Sequence, residues 1–242
     1  TYPATLSDGL VEQPFGERVA DPIRWLEADP RKDTDVAKWV TRQNALSADY
    51  LANLPGRDRF AARIHSLFDF ERYGLPRKAG RRYFYSRNSG LQNQSALWVR
   101  KGVAGEQRML LDPNTWSADG SLALAQWEPS PSGRFLAFAE QEAGSDWRTL
   151  RVVEVATGRV QEERLAWAND TDIAWIGDEC FLYSRFPAAK AGDDPRAPRF
   201  DKAVWYHRVG TAQDADERVF ATPDHPEWSH KAQVTSDGRW AV

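Results

Sequence analysis

The tightest grouping of side chains able to do chemistry is DHPEWSH at 224–230, where Asp224, His225, Glu227 and His230 are all metal-ligand types. Ligands on a helix must share a face, and Pro226 breaks that spacing, so the segment reads as a solvated loop ahead of a strand. His65 sits in a helical pattern and reads as a surface residue, and His207 stands apart from every other histidine. Nucleophiles fare no better. The sequence has no G-x-S-x-G elbow and no HGGG loop, while Ser132 in SPSGR and Ser145 in AGSDW fall in turns. Phosphate-binding glycine patterns of the G-x-x-x-x-G-K-[ST] and G-x-G-x-x-G types are also missing. The paired carboxylates Glu162–Glu163 and Asp193–Asp194 lie in polar turns and read as solvated charge. Cys180, the one cysteine, excludes an internal disulfide and reads as a buried, inert thiol in the apolar run DECFLYSRF. These residues offer scaffold and binding surface. They supply no catalytic set, no metal site and no cofactor site.

The composition bounds the partners. Over 242 residues, 41% are hydrophobic and 28% charged, with a net charge of −3. That is globular, too apolar for disorder, and without the basic stripe that nucleic acid or an anionic membrane requires. No apolar run reaches the roughly 18 residues of a membrane span. Aromatics are dense, with 11 Trp, 11 Phe and 7 Tyr, which favours β-structure with broad packing surfaces.

Two periods divide the chain. Residues 1–70 read as helical after an extended lead-in. Pro22 opens a short helix over IRWLEAD, with Ile23, Trp25 and Leu26 as anchors. A long helix then carries Val36, Trp39, Val40, Gln43, Leu46, Tyr50, Leu51 and Leu54 near a 3.6-residue period, capped by Asp33 or Thr34 and stopped at Pro55-Gly56. A third helix, RDRFAARIHSLFDF, gathers Phe60, Ile64, Leu67 and Phe68 on one face. From about residue 80 the period becomes two. RRYFYSR, ALWVRK, QRMLLDP, RFLAFAEQ, TLRVVEVA, ECFLYSRF, AVWYHRVG and RWAV are short apolar or alternating runs, nearly all punctuated by turn residues.

These runs repeat. SPSGRFLAF at 130–138 is echoed by AWIGDECFLYS at 174–184, by TSDGRWAV at 235–242 and more weakly by KAGRRYFYS at 78–86. Each echo places a glycine turn, at Gly80, Gly133, Gly177 or Gly238, ahead of an apolar strand. Three or four short strands recurring about every 40 to 60 residues are the blades of a β-propeller. The fold expected is therefore mainly β, a partial propeller over 71–242 preceded by a helical segment. The last repeat opens with TSDGRWAV and stops inside its strand, which should lack ladder partners. The chain reads as the N-terminal part of a longer protein.

The order of motifs resembles the prolyl oligopeptidase family. YPATLSDGLVEQPFGERVADPIRWLEADP and then VAKWVTRQNALSADYLANLPGR are similar to its N-terminal segment, with YP at 2–3, ADPIRWLE at 20–27 and WVTRQN at 39–44 the most telling. LLDPNTWSADGSLAL, SPSGRFLAFAEQEAGSDWRTLRVVEVATG and WYHRVGT continue the match in order across the chain. Oligopeptidase B shares the DP-x-x-WL start, but DPNTWSADG and GSDWRT look more like the prolyl enzymes.

The resemblance implies that residues 1–70 wrap an α/β-hydrolase domain into which a seven-bladed propeller is inserted. The Ser-Asp-His triad would lie in a C-terminal part outside this sequence, so no catalytic role passes to any residue here. The implied activity is serine-type hydrolysis of short peptides on the carboxyl side of proline. The propeller would act as gate and size filter, and the protein would be a monomer whose partners are proline-containing peptides and the hydrolase domain. The low cysteine count fits a cytoplasmic and a periplasmic home equally well. Two residues would lie near substrate. Asp146 in GSDW matches an acidic residue near the domain interface, and also reads as a plain turn aspartate. Trp167, in the unusually long stretch LAWANDTDIAW, falls where the family places an aromatic contact, and also reads with Trp175 as a packing aromatic. The alternatives for the whole are an oligopeptidase B-like enzyme cleaving after Arg or Lys, and a non-catalytic peptide-binding propeller.

Overall fold

Residues 2–142, 144–190 and 198–242 are described by a computed structural model; Asp193 and Asp194 fall outside them. The chain divides into two compact units, one ending at Phe68 and one spanning Asp69–Val242.

In the first unit, β1 (Val11–Glu12) and β2 (Val19–Ala20) form an antiparallel pair. Helix α1 (Thr34–Ala52) starts where Asp33 accepts the backbone N–H groups of Asp35 and Val36 at 2.9 and 3.0 Å, as its N-cap chemistry dictates. Helix α2 (Arg57–Phe68) follows after the glycine at 56. The short helix expected after Pro22 is a single 3-10 turn, Arg24–Glu27, and Ile23 is exposed rather than an anchor. Its indole does the anchoring: Trp25 Nε1 donates to the Leu6 carbonyl at 2.9 Å, and Trp39 Nε1 donates to Thr5 Oγ1 at 3.0 Å. These bonds hold the extended lead-in.

The second unit is a row of antiparallel sheets. Sheet I contains β3 (Arg72–Tyr73) and β4 (Arg77–Ala79), both paired to β5 (Arg82–Asn88), then β6 (Ala96–Lys101) and β7 (Gln107–Leu111). Sheet II runs β8 (Leu122–Pro129), β9 (Phe135–Glu142), β10 (Arg148–Glu154) and β11 (Leu165–Ala168). Sheet III runs β12 (Ala174–Ile176), β13 (Cys180–Arg185), β14 (Ala203–Arg208) and β15 (Glu217–Phe220).

Sheet II is apolar on both faces. Alternate residues Phe135, Ala137 and Ala139 of β9 share a core with Trp175, Phe181 and Tyr183 of sheet III. Their neighbours Leu136 and Phe138 share a different core with Phe84, Leu97 and Val99 of sheet I. With each fully buried Leu or Phe stabilising by about 1.5–3 kcal/mol, this period-two split is what stacks three sheets face to face. A third cluster joins Ala174, Leu182 and Val204 of sheet III to Ala232 and Val234.

The four repeat glycines all have positive φ, yet the repeat begins one strand earlier than the echoes imply. The glycine turn joins β4 to β5, β8 to β9 and β12 to β13, so in each sheet a strand precedes it. The SPSGRF and TSDGRW turns agree bond for bond. Gly133 N donates to the Ser130 carbonyl at 2.7 Å, and Gly238 N to the Thr235 carbonyl at 2.8 Å. Ser130 Oγ accepts Phe135 N, and Thr235 Oγ1 accepts Trp240 N, both at 3.1 Å. The final RWAV run therefore has a partner after all. Gln233 and Val242 exchange backbone hydrogen bonds at 2.9 and 2.8 Å, and Val234 pairs with Ala241.

Adjacent sheets are also tied by polar contacts. Ser132 N donates to Asp178 Oδ1 at 2.9 Å, and Trp175 Nε1 donates to the Glu128 carbonyl at 3.0 Å. Glu163, expected to be solvated, is instead buried and accepts Gly210 N at 3.1 Å, because it bridges sheets II and III. Gln213 grips the edge of sheet II, its amide exchanging two bonds with the Ala166 backbone at 3.1 and 3.0 Å. Behind it, Tyr183 donates to Asp216 at 2.6 Å, and Asp216 is also bonded to the buried His207 at 2.6 Å. Cys180 is buried.

Candidate substrate-facing surface

Asp146 and Trp167 come from different strands, and sheet register brings their segments to one end. Arg148 pairs with Gln141 on one side and with Ala168 on the other, so the β9–β10 loop and the end of β11 lie together, away from Gly133. The loop is tied locally: Gln141 Nε2 donates to the Ser145 carbonyl at 2.6 Å, and Ser145 Oγ accepts Trp147 N at 3.1 Å. This leaves Asp146 exposed, and among the described residues it forms no ion pair.

The next residue, Trp147, is the hub of an aromatic trio. Its ring meets Trp167 edge-on at 5.8 Å and 77°, and meets Phe186 edge-on at 5.7 Å and 79°. All three rings are half-buried, so each keeps part of its surface open. Edge-to-face geometry matches the positive rim of one ring to the negative face of another. Trp167 takes up this position with φ +63, unusual for a bulky residue, and its carbonyl accepts Phe186 N at 3.0 Å. Trp175, by contrast, is a buried packing aromatic with its indole N–H satisfied.

Cations surround the trio. The Arg199 guanidinium lies 6.0 Å from the Trp167 ring centre, and Lys202 Nζ lies 5.7 Å from that of Phe186. Lys202 is 3% exposed and donates to the Asp170 carbonyl at 2.8 Å. Lys231 Nζ holds the Asp170 carboxylate at 2.7 Å, which keeps that carboxyl below its usual range and raises Lys231 in turn. Burial lowers Lys202. Half-open aromatic faces beside fixed cations and the exposed carboxylates of Asp146 and Asp170 form a surface able to take apolar side chains and the charges of a peptide.

A separate cavity of about 840 Å³ runs along the first strands of the sheets, lined by Arg77, Glu128, Asp172, Trp175, Gln233 and Asp237 among others. Burial raises the Glu128 carboxyl against the opposing pull of Arg77, its ion-pair partner. The histidines of 224–230 serve local packing: His225 stacks on Trp228 at 4.1 Å, and His230 Nε2 bonds Thr222 Oγ1 at 2.9 Å. His65 is exposed.

Sequence reasoning named Asp146 and Trp167 but missed Trp147, Phe186, Lys202 and Lys231. Trp147 alone had a signal, its adjacency to Asp146 in GSDW; the others meet only through the stacking of sheets.

The family described as prolyl oligopeptidase, N-terminal β-propeller domain, matches residues 2–242. The prolyl endopeptidase of Elizabethkingia meningoseptica is 34% identical over 241 residues, covering 100% of this chain and 34% of that protein. A dual function macrocyclase-peptidase of Galerina marginata is 30% identical over 92% of this chain and 33% of its own length. Prolyl oligopeptidase B from Galerina marginata, bound to a 35mer hydrolysis and macrocyclization substrate, superposes with a TM-score of 0.84 at 26% identity, over 99% of this chain and 36% of that one. A chain from a structural and mechanistic analysis of two prolyl endopeptidases is 48% identical, with a TM-score of 0.65 over 99% of this chain and 34% of that one. The chain spans about a third of the length of these relatives.

Proposed function

Because the chain belongs to the prolyl oligopeptidase family, through its N-terminal β-propeller domain, we propose that the full-length protein is a serine endopeptidase cleaving short peptides after proline. In this reading residues 1–70 are part of an α/β-hydrolase peptidase domain, and 71–242 are the first blades of a seven-bladed propeller. The catalytic serine, histidine and aspartate are contributed by sequence outside this chain. There the serine attacks the carbonyl carbon of proline itself, the histidine takes the serine's proton and gives it to the departing amine, and the aspartate orients the imidazole.

The observation that carries the reading is sheet II, apolar on both faces and sharing one core with each neighbour, inside a chain matched by the family from residue 2 to 242. A blade built this way belongs to a radial stack. Such a stack in front of an active site admits thin, flexible peptides and refuses folded chains, so selectivity is gained without altering the chemistry. In this reading Trp167 offers its open face to a substrate side chain, and Asp146 steers a charged peptide end or pairs with a basic group across the cleft. The protein acts as a monomer on short proline-containing peptides.

The test is a matched pair of short peptides, differing only in proline or arginine before the scissile bond, incubated with the full-length protein. Cleavage after proline that a serine-directed inhibitor abolishes supports the proposal. Cleavage after arginine instead moves the protein to an oligopeptidase B-like specificity. Peptide binding without cleavage of either identifies a non-catalytic propeller.

A further inference from the structure

Lys202 is an ammonium placed where ammonium groups are rarely found. The residue is 3% exposed, and its Nζ meets the neutral carbonyl of Asp170 at 2.8 Å and lies 5.7 Å from the ring centre of Phe186. Lysine is almost never buried this deeply without a carboxylate partner. Among the described residues the charges of Asp170, Lys231, Asp172 and Arg148 act on it, and burial outweighs them in lowering its proton affinity.

The carbonyl it holds belongs to a strained turn. Trp167 and Asp170 both have positive φ, at 63° and 46°, although neither is glycine. Residues with side chains keep such a backbone only when surrounding contacts impose it. Asp170 is gripped twice by later parts of the chain, at its carbonyl by Lys202 and at its carboxylate by Lys231 at 2.7 Å. The Trp167 carbonyl is held by Phe186 N at 3.0 Å.

We propose that Lys202 is a positioning residue, whose buried bond to the Asp170 carbonyl holds the 167–170 turn so that Trp167 stands edge-on to Trp147 and open to substrate. The positioning is a statement about this chain; its effect on peptide binding rests on the substrate-facing reading of Trp167. A packing role alone would be served equally well by methionine, which has a similar length and no charge to bury.

The test uses the full-length protein with Lys202→Met, Lys202→Arg, Lys231→Met and Trp167→Ala. Two readouts apply: steady-state kinetics on a short proline peptide, and the circular-dichroism exciton couplet of the Trp147–Trp167 pair. Lys202→Met is expected to keep the fold, weaken the couplet and raise KM by about fivefold with kcat little changed, the size of an ordinary coupling between residues in contact. Lys202→Arg restores part of both signals. Adding Lys202→Met to Trp167→Ala raises KM no further than Trp167→Ala alone. A wild-type couplet in folded Lys202→Met overturns the positioning role. If Trp167→Ala leaves KM unchanged, the substrate-facing reading falls while the couplet still decides the positioning. Should Lys202→Met fail to fold, Lys231→Met at the more exposed grip is expected to shift couplet and KM the same way to a smaller extent. A wild-type couplet and KM in that variant overturn the proposal.

Discussion

The backbone of Ser132 occupies the space that a side chain on Gly80 would need. A Cβ at residue 80 would lie 2.9 Å from the Ser132 carbonyl carbon and closer still to its oxygen. The first repeat turn is thus nested against the second, as the second is bonded to the third through Ser132 and Asp178. Gly177 has a similar backbone, with φ +63, but nothing within 4 Å of where its Cβ would stand.

That contrast separates backbone strain from collision. Gly177→Ala should cost about 1–2 kcal/mol, the penalty of a left-handed alanine. Gly80→Ala carries the same strain plus a clash with backbone that cannot swing away, for about 2–5 kcal/mol altogether. Urea unfolding at constant m-value measures both. Equal losses at the two sites would mean that the turns are not nested.

Leu150 is fully buried where sheet II meets sheet III. Leu150→Ala leaves a cavity in that seam and should cost about 2–5 kcal/mol. Met109, 44% exposed on β7, should tolerate alanine to within about 0.5 kcal/mol. Matching losses in the same denaturation experiment would place the core elsewhere.

The Asp178 contact should appear in the acid limb of stability. Burial raises this carboxyl, but hydrogen bonds from Ser132 and Ser130 and the charge of Arg134 outweigh it and hold the group below its usual range. A depressed acid contributes stability above its unfolded pKa, and that contribution is lost as pH falls through the folded value. The window therefore opens near pH 4 and extends downward. The urea midpoint of Asp178→Asn should fall less than that of the wild type between about pH 5 and pH 3. Parallel acid limbs would remove Asp178 from the account.

Much of the fold was legible because period-two runs survive in strands buried on one face or both. RFLAFAEQ became β9, TLRVVEVA became β10, and AVWYHRVG became β14. The strands that escaped have identifiable reasons. β8, LALAQWEP, carries a register shift between Leu124 and Gln126 that breaks its alternation, and it ends on proline. β12 has three residues, too few to show any period. With those two unseen, the repeat was placed one strand late and the final run was denied its partner.

The site was legible only in part for a different reason. Asp146 and Trp167 were named through resemblance, whereas Trp147, Phe186, Lys202 and Lys231 converge from three stretches of chain. Pairings such as Tyr183 with Asp216, or Glu163 with Gly210, likewise join residues that local pattern treats as unrelated. Burial of a charged side chain is decided by the sheet that lands on it, and no window of sequence contains that sheet.

The gate is the central claim, and one comparison tests it most directly. The full-length protein is given a proline-containing heptapeptide, free in one sample and displayed on an exposed loop of a folded carrier protein in the other. The account predicts cleavage of the free peptide and an intact carrier, with cleavage of the carrier returning once it is unfolded and trimmed to short fragments. Equal kcat/KM for the free and the carrier-borne sequence would contradict it.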